Sequence, residues 1–105
     1  MLAVLTTQVK QKLNITWDDE DTNARVEHII NTAIPDLTHR LGITDSNFDF
    51  SVPGAENALF LAYCLYEWNH SLNEFADNYA RLIAQVRAVH EVGNYRKSEG
   101  ADDEA

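Results

Sequence analysis

One cysteine, two prolines, four glycines and eight basic residues are the scarcities of this 105-residue chain. A lone cysteine forbids an intrachain disulfide, and Cys64 stands in the most apolar stretch, where a thiol reads as a small buried hydrophobe. An intracellular folding environment is the expectation. The eight basic residues face 17 acidic ones, for a formal net charge of −9. That balance excludes a surface built to hold nucleic-acid phosphates, whose affinity comes from clustered Lys and Arg. The cations are scattered, Arg81 and Arg87 among acids and Arg96-Lys97 as a late pair, so DNA can pass close by without adhering. No apolar run approaches a bilayer's width: the longest, Ala58 to Tyr66, has half the ~18 residues required. The opening "MLAVLTTQVKQKL" lacks the basic start and long apolar core of a signal peptide. A glycine-rich phosphate loop is absent too.

What is present is ordinary globular composition, 45% hydrophobic and 24% charged, in a length that suits one domain with a modest core. Leu2, Leu5, Val9 and Leu13 recur at three- and four-residue steps and predict a first helix over 2–13. Val26, Ile29, Ile30, Ala33, Ile34, Leu37 and Leu41 share one face of a second, over 18–41, which Gly42 stops. Pro35 projects opposite that face, so the expectation is a bend and not a break. In "TDSNFDFSVPG" Phe48, Phe50 and Val52 alternate with polar residues, which reads as an extended connector over 44–54 pinned by its phenylalanines. A third helix, 55–69, is apolar on every side, so it is either central or meets another subunit with one face. Ser71 and Glu74 form a capping box for a fourth, 72–92, along which Leu72, Phe75, Tyr79, Leu82, Val86 and Val89 keep heptad spacing. The expected architecture is all-α: a bundle of about four helices in a domain 1–93, followed by a flexible acidic tail, 94–105.

Four chemistries compete with this architecture for the polar residues and the thiol. The run "DDED", Asp18 to Asp21, invites a calcium loop, but from Asp19 the positions that need glycine and glutamate hold Ala24 and Ile30. The same acids serve the positive end of the second helix's dipole, with Thr16 or Asp18 capping its amides. Asp36/His39 and Glu67/His70 have the Glu-x-x-His flavour of bundle metal sites, yet His39 lies opposite the apolar face and His70 precedes the Ser71 cap. Cys64 has no evident activating partner and reads as core. A small metal-dependent hydrolase using Glu74, Asp77 and acids of the Asp18 run is the enzyme-class alternative, and it lacks a second ligand pair. A generic helical protein-binding module is the other.

The order of "VKQKLNITWDDEDTNARVEHIINTA", then "LGI", then "FDFSVPGAENALFLAYCLYEWNHSLNEFADNY" resembles the small head-tail connector proteins of tailed bacteriophages, from about Val4 to Val92. The resemblance implies a non-enzymatic, all-helical adaptor without cofactor or metal. It implies a ring, typically dodecameric, beneath the portal protein, extending the DNA channel and docking a downstream stopper or tail-completion protein. Such a protein sits at the virion's head–tail interface after assembly in the host cytoplasm, binding no membrane and holding DNA by no specific contact. Asp18, Asp19 and Asp21 match the family's acidic helix start, and Tyr63, Tyr66 and Trp68 its aromatic helix. Phe60, Tyr63, Tyr66, Trp68, Phe75 and Tyr79 become candidates for packing or subunit contact, and Tyr95, Arg96 and Lys97 for portal contact. The acidic segment from Glu99 has no counterpart in that pattern.

Overall fold

A computed structural model describes the backbone of residues 1–104 and the side chains of residues 1–96. Five helices follow one another: α1 (Leu2–Lys12), α2 (Glu20–Arg40), α3 (Ala55–Trp68), α4 (Leu72–Asn78) and α5 (Ala80–Glu104). The all-α expectation is met, with one more helix than foreseen. The apolar-all-round α3 is the central element and touches each of the other four. Its Leu59, Phe60, Ala62, Tyr63 and Cys64 are buried together with Leu5 and Val9 of α1 and Val26, Ile30, Ala33 and Leu37 of α2. Burying such aliphatic and aromatic side chains stabilises the fold by about 1.5–3 kcal/mol each.

Helices α1, α2 and α3 end in one device. After each, a residue in the left-handed region turns the chain: Asn14 (φ 58), Gly42 (φ 64) and His70 (φ 57). The following amide then reaches back five residues, from Ile15 to the Lys10 carbonyl (2.9 Å), Ile43 to Thr38 (3.0 Å) and Ser71 to Tyr66 (2.9 Å). These are Schellman closures, and two of them carry the apolar residue past the turn into the core as Ile15 and Ile43. Only Gly42 was legible as a stop, because only glycine advertises a positive φ.

Four expectations are corrected. The cap of α2 is Asp19, whose carboxylate accepts from the Thr22 amide (3.1 Å) and hydroxyl (3.0 Å), while Asp18 accepts from the Asn23 side chain (2.7 Å). The Ser71/Glu74 box does not form, since the Ser71 hydroxyl donates to the Tyr66 carbonyl and is drawn into the α3 closure. The connector 44–54 is a string of turns, because Asp45 and Asp49 accept from the amides of Asn47 (2.9 Å) and Ser51 (2.8 Å) and curl the backbone. The helix expected over 72–92 breaks at Tyr79 (φ −110, ψ 12) and does not stop at Gly93. The break separates two packing tasks: α4 lies along α3 and buries Phe75, and α5 then brings Val86 to the core.

The boundary expected between residues 93 and 94 falls inside α5. Helical backbone runs through Gly93 to Glu104, and the Asn94 side-chain amide donates to the Gly42 carbonyl (3.0 Å) while its oxygen accepts from the Thr44 hydroxyl (2.9 Å). A glycine inside a helix costs about 1 kcal/mol against alanine, which helix continuation and these two bonds offset. Pro35 sits in an unbroken α2 with its ring exposed, as its position on the wheel required. The phenylalanine anchors of the connector also hold: Phe50 is buried, 5.0 Å from the Phe48 ring and 5.2 Å from Phe60.

Candidate functional site

The six aromatic candidates separate by burial. Phe60, Tyr63 and Phe75 are at most 1% exposed and pack inside the protomer, which leaves no surface for a neighbour. Tyr66, Trp68 and Tyr79 are half-buried. Tyr66 and Tyr79 meet edge to face at 5.9 Å, and Tyr79 stacks on Phe75 at 5.3 Å. Trp68 lies under the Arg25 guanidinium, 4.0 Å from its ring, while the same guanidinium donates to the Trp68 carbonyl and lies 3.3 Å from the His70 ring. Arg25 thus clamps the C-terminal end of α3, where free carbonyls favour a cation. Nothing in the sequence distinguished Arg25 from a solvated residue of α2.

Asp36, Tyr63, Cys64 and His90 are engaged in structure. Asp36 is drawn upward by partial burial. Donations from Arg40 (2.8 Å) and from the Tyr63 hydroxyl (2.7 Å), with the Arg40 charge, outweigh that and hold the carboxyl below its ordinary value. Burial and the Asp36 bond together raise the Tyr63 hydroxyl well above the usual phenol range. Cys64 is fully buried, and desolvation with the Glu67 charge pushes its thiol up to about 12, so it stays protonated and unreactive. His90 meets Glu56 at 3.0 Å and the Phe48 ring at 5.6 Å, which ties α5 to the start of α3 and to the connector. His39 is exposed and Asp36 binds Arg40 and Tyr63 instead. Among the described residues no three His, Cys, Asp or Glu side chains gather as a metal ligand set, the acids of the Asp18 run, Glu74 and Asp77 included.

What the structure leaves open is a surface. At about 100° per residue, Leu82, Ile83, Val86, His90 and Asn94 point from α5 toward the body, all buried or half-buried. The opposite arc holds Arg81, Ala84, Gln85, Ala88, Val89, Val92, Tyr95 and Arg96, all exposed, with Val89 at 70%, Val92 at 51% and Tyr95 at 69%. The heptad series therefore serves the core only as far as Val86, and Val89 faces solvent. This outward face carries two arginines and no carboxylate, and at its flank Glu91 is paired with Arg87 (2.8 Å). Of the expected portal contacts, Tyr95 and Arg96 stand on this face near its end, whereas the Lys97 side chain lies outside the described residues. The wheel of 80–96 could have revealed the face, had the helix not been expected to end at 92.

The fold and this surface define a small all-helical protein with an unpartnered amphipathic face. Comparison with protein families, with characterised proteins and with solved structures finds no match to this chain. No described helix is long and apolar enough to cross a membrane.

Proposed function

We propose that the chain is a structural adaptor of the tailed-phage neck, as its resemblance to the head-tail connectors implies. It assembles as a ring, of the dodecameric order, on the portal protein, continues the DNA channel, and docks the next stopper or tail-completion component. It works by geometry and not by catalysis, at the head–tail interface of the virion. The observation that carries the reading is the outward face of α5, a row of exposed valines and a tyrosine ending in Arg96 on an otherwise acidic molecule. Apolar surface in a contiguous row on a small protein marks an interaction site, and Tyr and Arg are the residue types that anchor interfaces. The molecule is elongated, 54 Å long against a 19 Å thickness, a form that suits a ring segment. Its net charge of −9 disfavours adhesion to DNA phosphates along a channel.

The test is reconstitution. The purified chain mixed with the portal protein of its own phage and imaged by electron microscopy is expected to add one ring of density beneath the portal. A portal that remains bare at saturating chain concentration would overturn the reading and leave the generic helical binding module in its place.

A further inference from the structure

We infer that the outward face of α5 seats a single α-helix of the portal protein, one with an apolar stripe and a carboxylate near each end. The inference deepens the connector reading and rests on it for the portal as the source of that helix. Arg81, Gln85, Ala88, Val92 and Tyr95 follow one another along the face at steps of four, three, four and three, the spacing of a coiled-coil seam. This series is distinct from the one through Phe75, Leu82 and Val86, which faces the core, and every member of it is exposed.

Shape makes the occupant a helix. Two shallow hollows flank Val92, one of about 410 Å³ framed by Ala88, Glu91, Val92 and Tyr95, the other of about 460 Å³ framed by Val89, Val92, Gly93 and Arg96. Each set stands at i, i+3, i+4 and i+7, the four-residue hole into which a side chain of a facing helix inserts as a knob. The first hollow lies in the seam itself, and Ala88 borders both. Charge makes that helix acidic. The face begins at Arg81 and ends at Arg96, about 22 Å apart at 1.5 Å per residue. Glu91, which borders the first hollow, is neutralised by Arg87 (2.8 Å), and Arg81 makes no ion pair among the described residues. An excess of cations here, on a chain of net charge −9, selects carboxylates in the partner. Continuity makes the portal its source, since Tyr95 and Arg96, the portal contacts that the connector reading implies, end the same row.

Binding of the full-length chain to the portal protein of its own phage tests it. Ala88→Trp fills the hollow and is expected to weaken binding about tenfold or more, while Ala88→Ser, which leaves it open, binds as the native chain does. Residue 88 is exposed, so both variants are expected to keep the native circular dichroism. Arg81→Glu is expected to weaken binding as well and to flatten its decline with rising salt. Independently of these variants, a benzophenone photo-cross-linker in place of Gln85 is expected to join the chain to a portal helix with an Asp or Glu within one turn of the joined residue. Undiminished binding of Ala88→Trp, or a cross-link to a basic helix, to a non-helical portal segment or to a second copy of the chain, overturns the inference and spares the connector reading. A portal that the native chain does not bind sinks both.

Discussion

Asp19 owes its importance to position within the acidic run, since it stands immediately before α2 with an extended backbone (φ −145, ψ 135) and its carboxylate accepts from the Thr22 amide. Its replacement by alanine is expected to cost about 1 kcal/mol in chemical denaturation, and Asp18→Asn distinctly less because Asn23 is that residue's only bonded partner. Asp36 gives the molecule an acid limb. Its folded pKa lies below the unfolded value, so its stabilising contribution is complete above the ordinary carboxylate range and is lost as pH falls through the depressed folded value. Asp36→Asn should therefore flatten the decline of stability below about pH 4. Tyr63→Phe removes one donor to a carboxylate that keeps Arg40, and is expected to cost about 0.5–1.5 kcal/mol at neutral pH.

The helix ends and the continuity of α5 give predictions at the scale of elements. Gly42→Ala forces a side chain into the left-handed region and is expected to lose about 1–2 kcal/mol, although its new Cβ would meet Arg87 only at an ordinary 3.5 Å. Gly93→Ala has the opposite sign: among the described residues nothing beyond the helix's own backbone and the adjacent residues lies within 4 Å of the added carbon, and the residue is interior to a helix. A gain of about 0.5–1 kcal/mol is expected, and a loss would show that residue 93 ends the helix after all. Much of this level was legible. The apolar stripes of α1 and α2 and the all-round apolarity of α3 report burial, which dominates the energy, so position and centrality followed from them. The Tyr79 break and the Asn14 and His70 turns were not, because each depends on bonds or stacking between residues that no periodicity links.

For the whole molecule, the outward face of α5 and the candidate portal contacts should be separable from stability. Tyr95→Ala and Arg96→Ala are expected to change unfolding free energy by less than about 0.5 kcal/mol, since both residues are exposed, and to abolish ring addition to the portal in pull-down and imaging. The candidate site itself was only half readable. The resemblance pointed to Tyr95 and Arg96, but the aromatic residues it drew in with them divide between core and surface according to tertiary packing that a single chain's pattern does not encode.

The paired bonds of Asn94 to Gly42 and Thr44 have a kinetic meaning. They join residues 52 and 50 positions apart, whereas the α1–α2 pair closes over a short turn. Contacts so distant in sequence form after local ones, because chain-closure entropy is spent before the contact returns it. Asn94 acts as a latch that shuts last and opens first. In native-state hydrogen exchange, the amides of 86–94 should therefore exchange through a local opening while those of α3 wait for global unfolding, and Asn94→Ala should speed the first class alone.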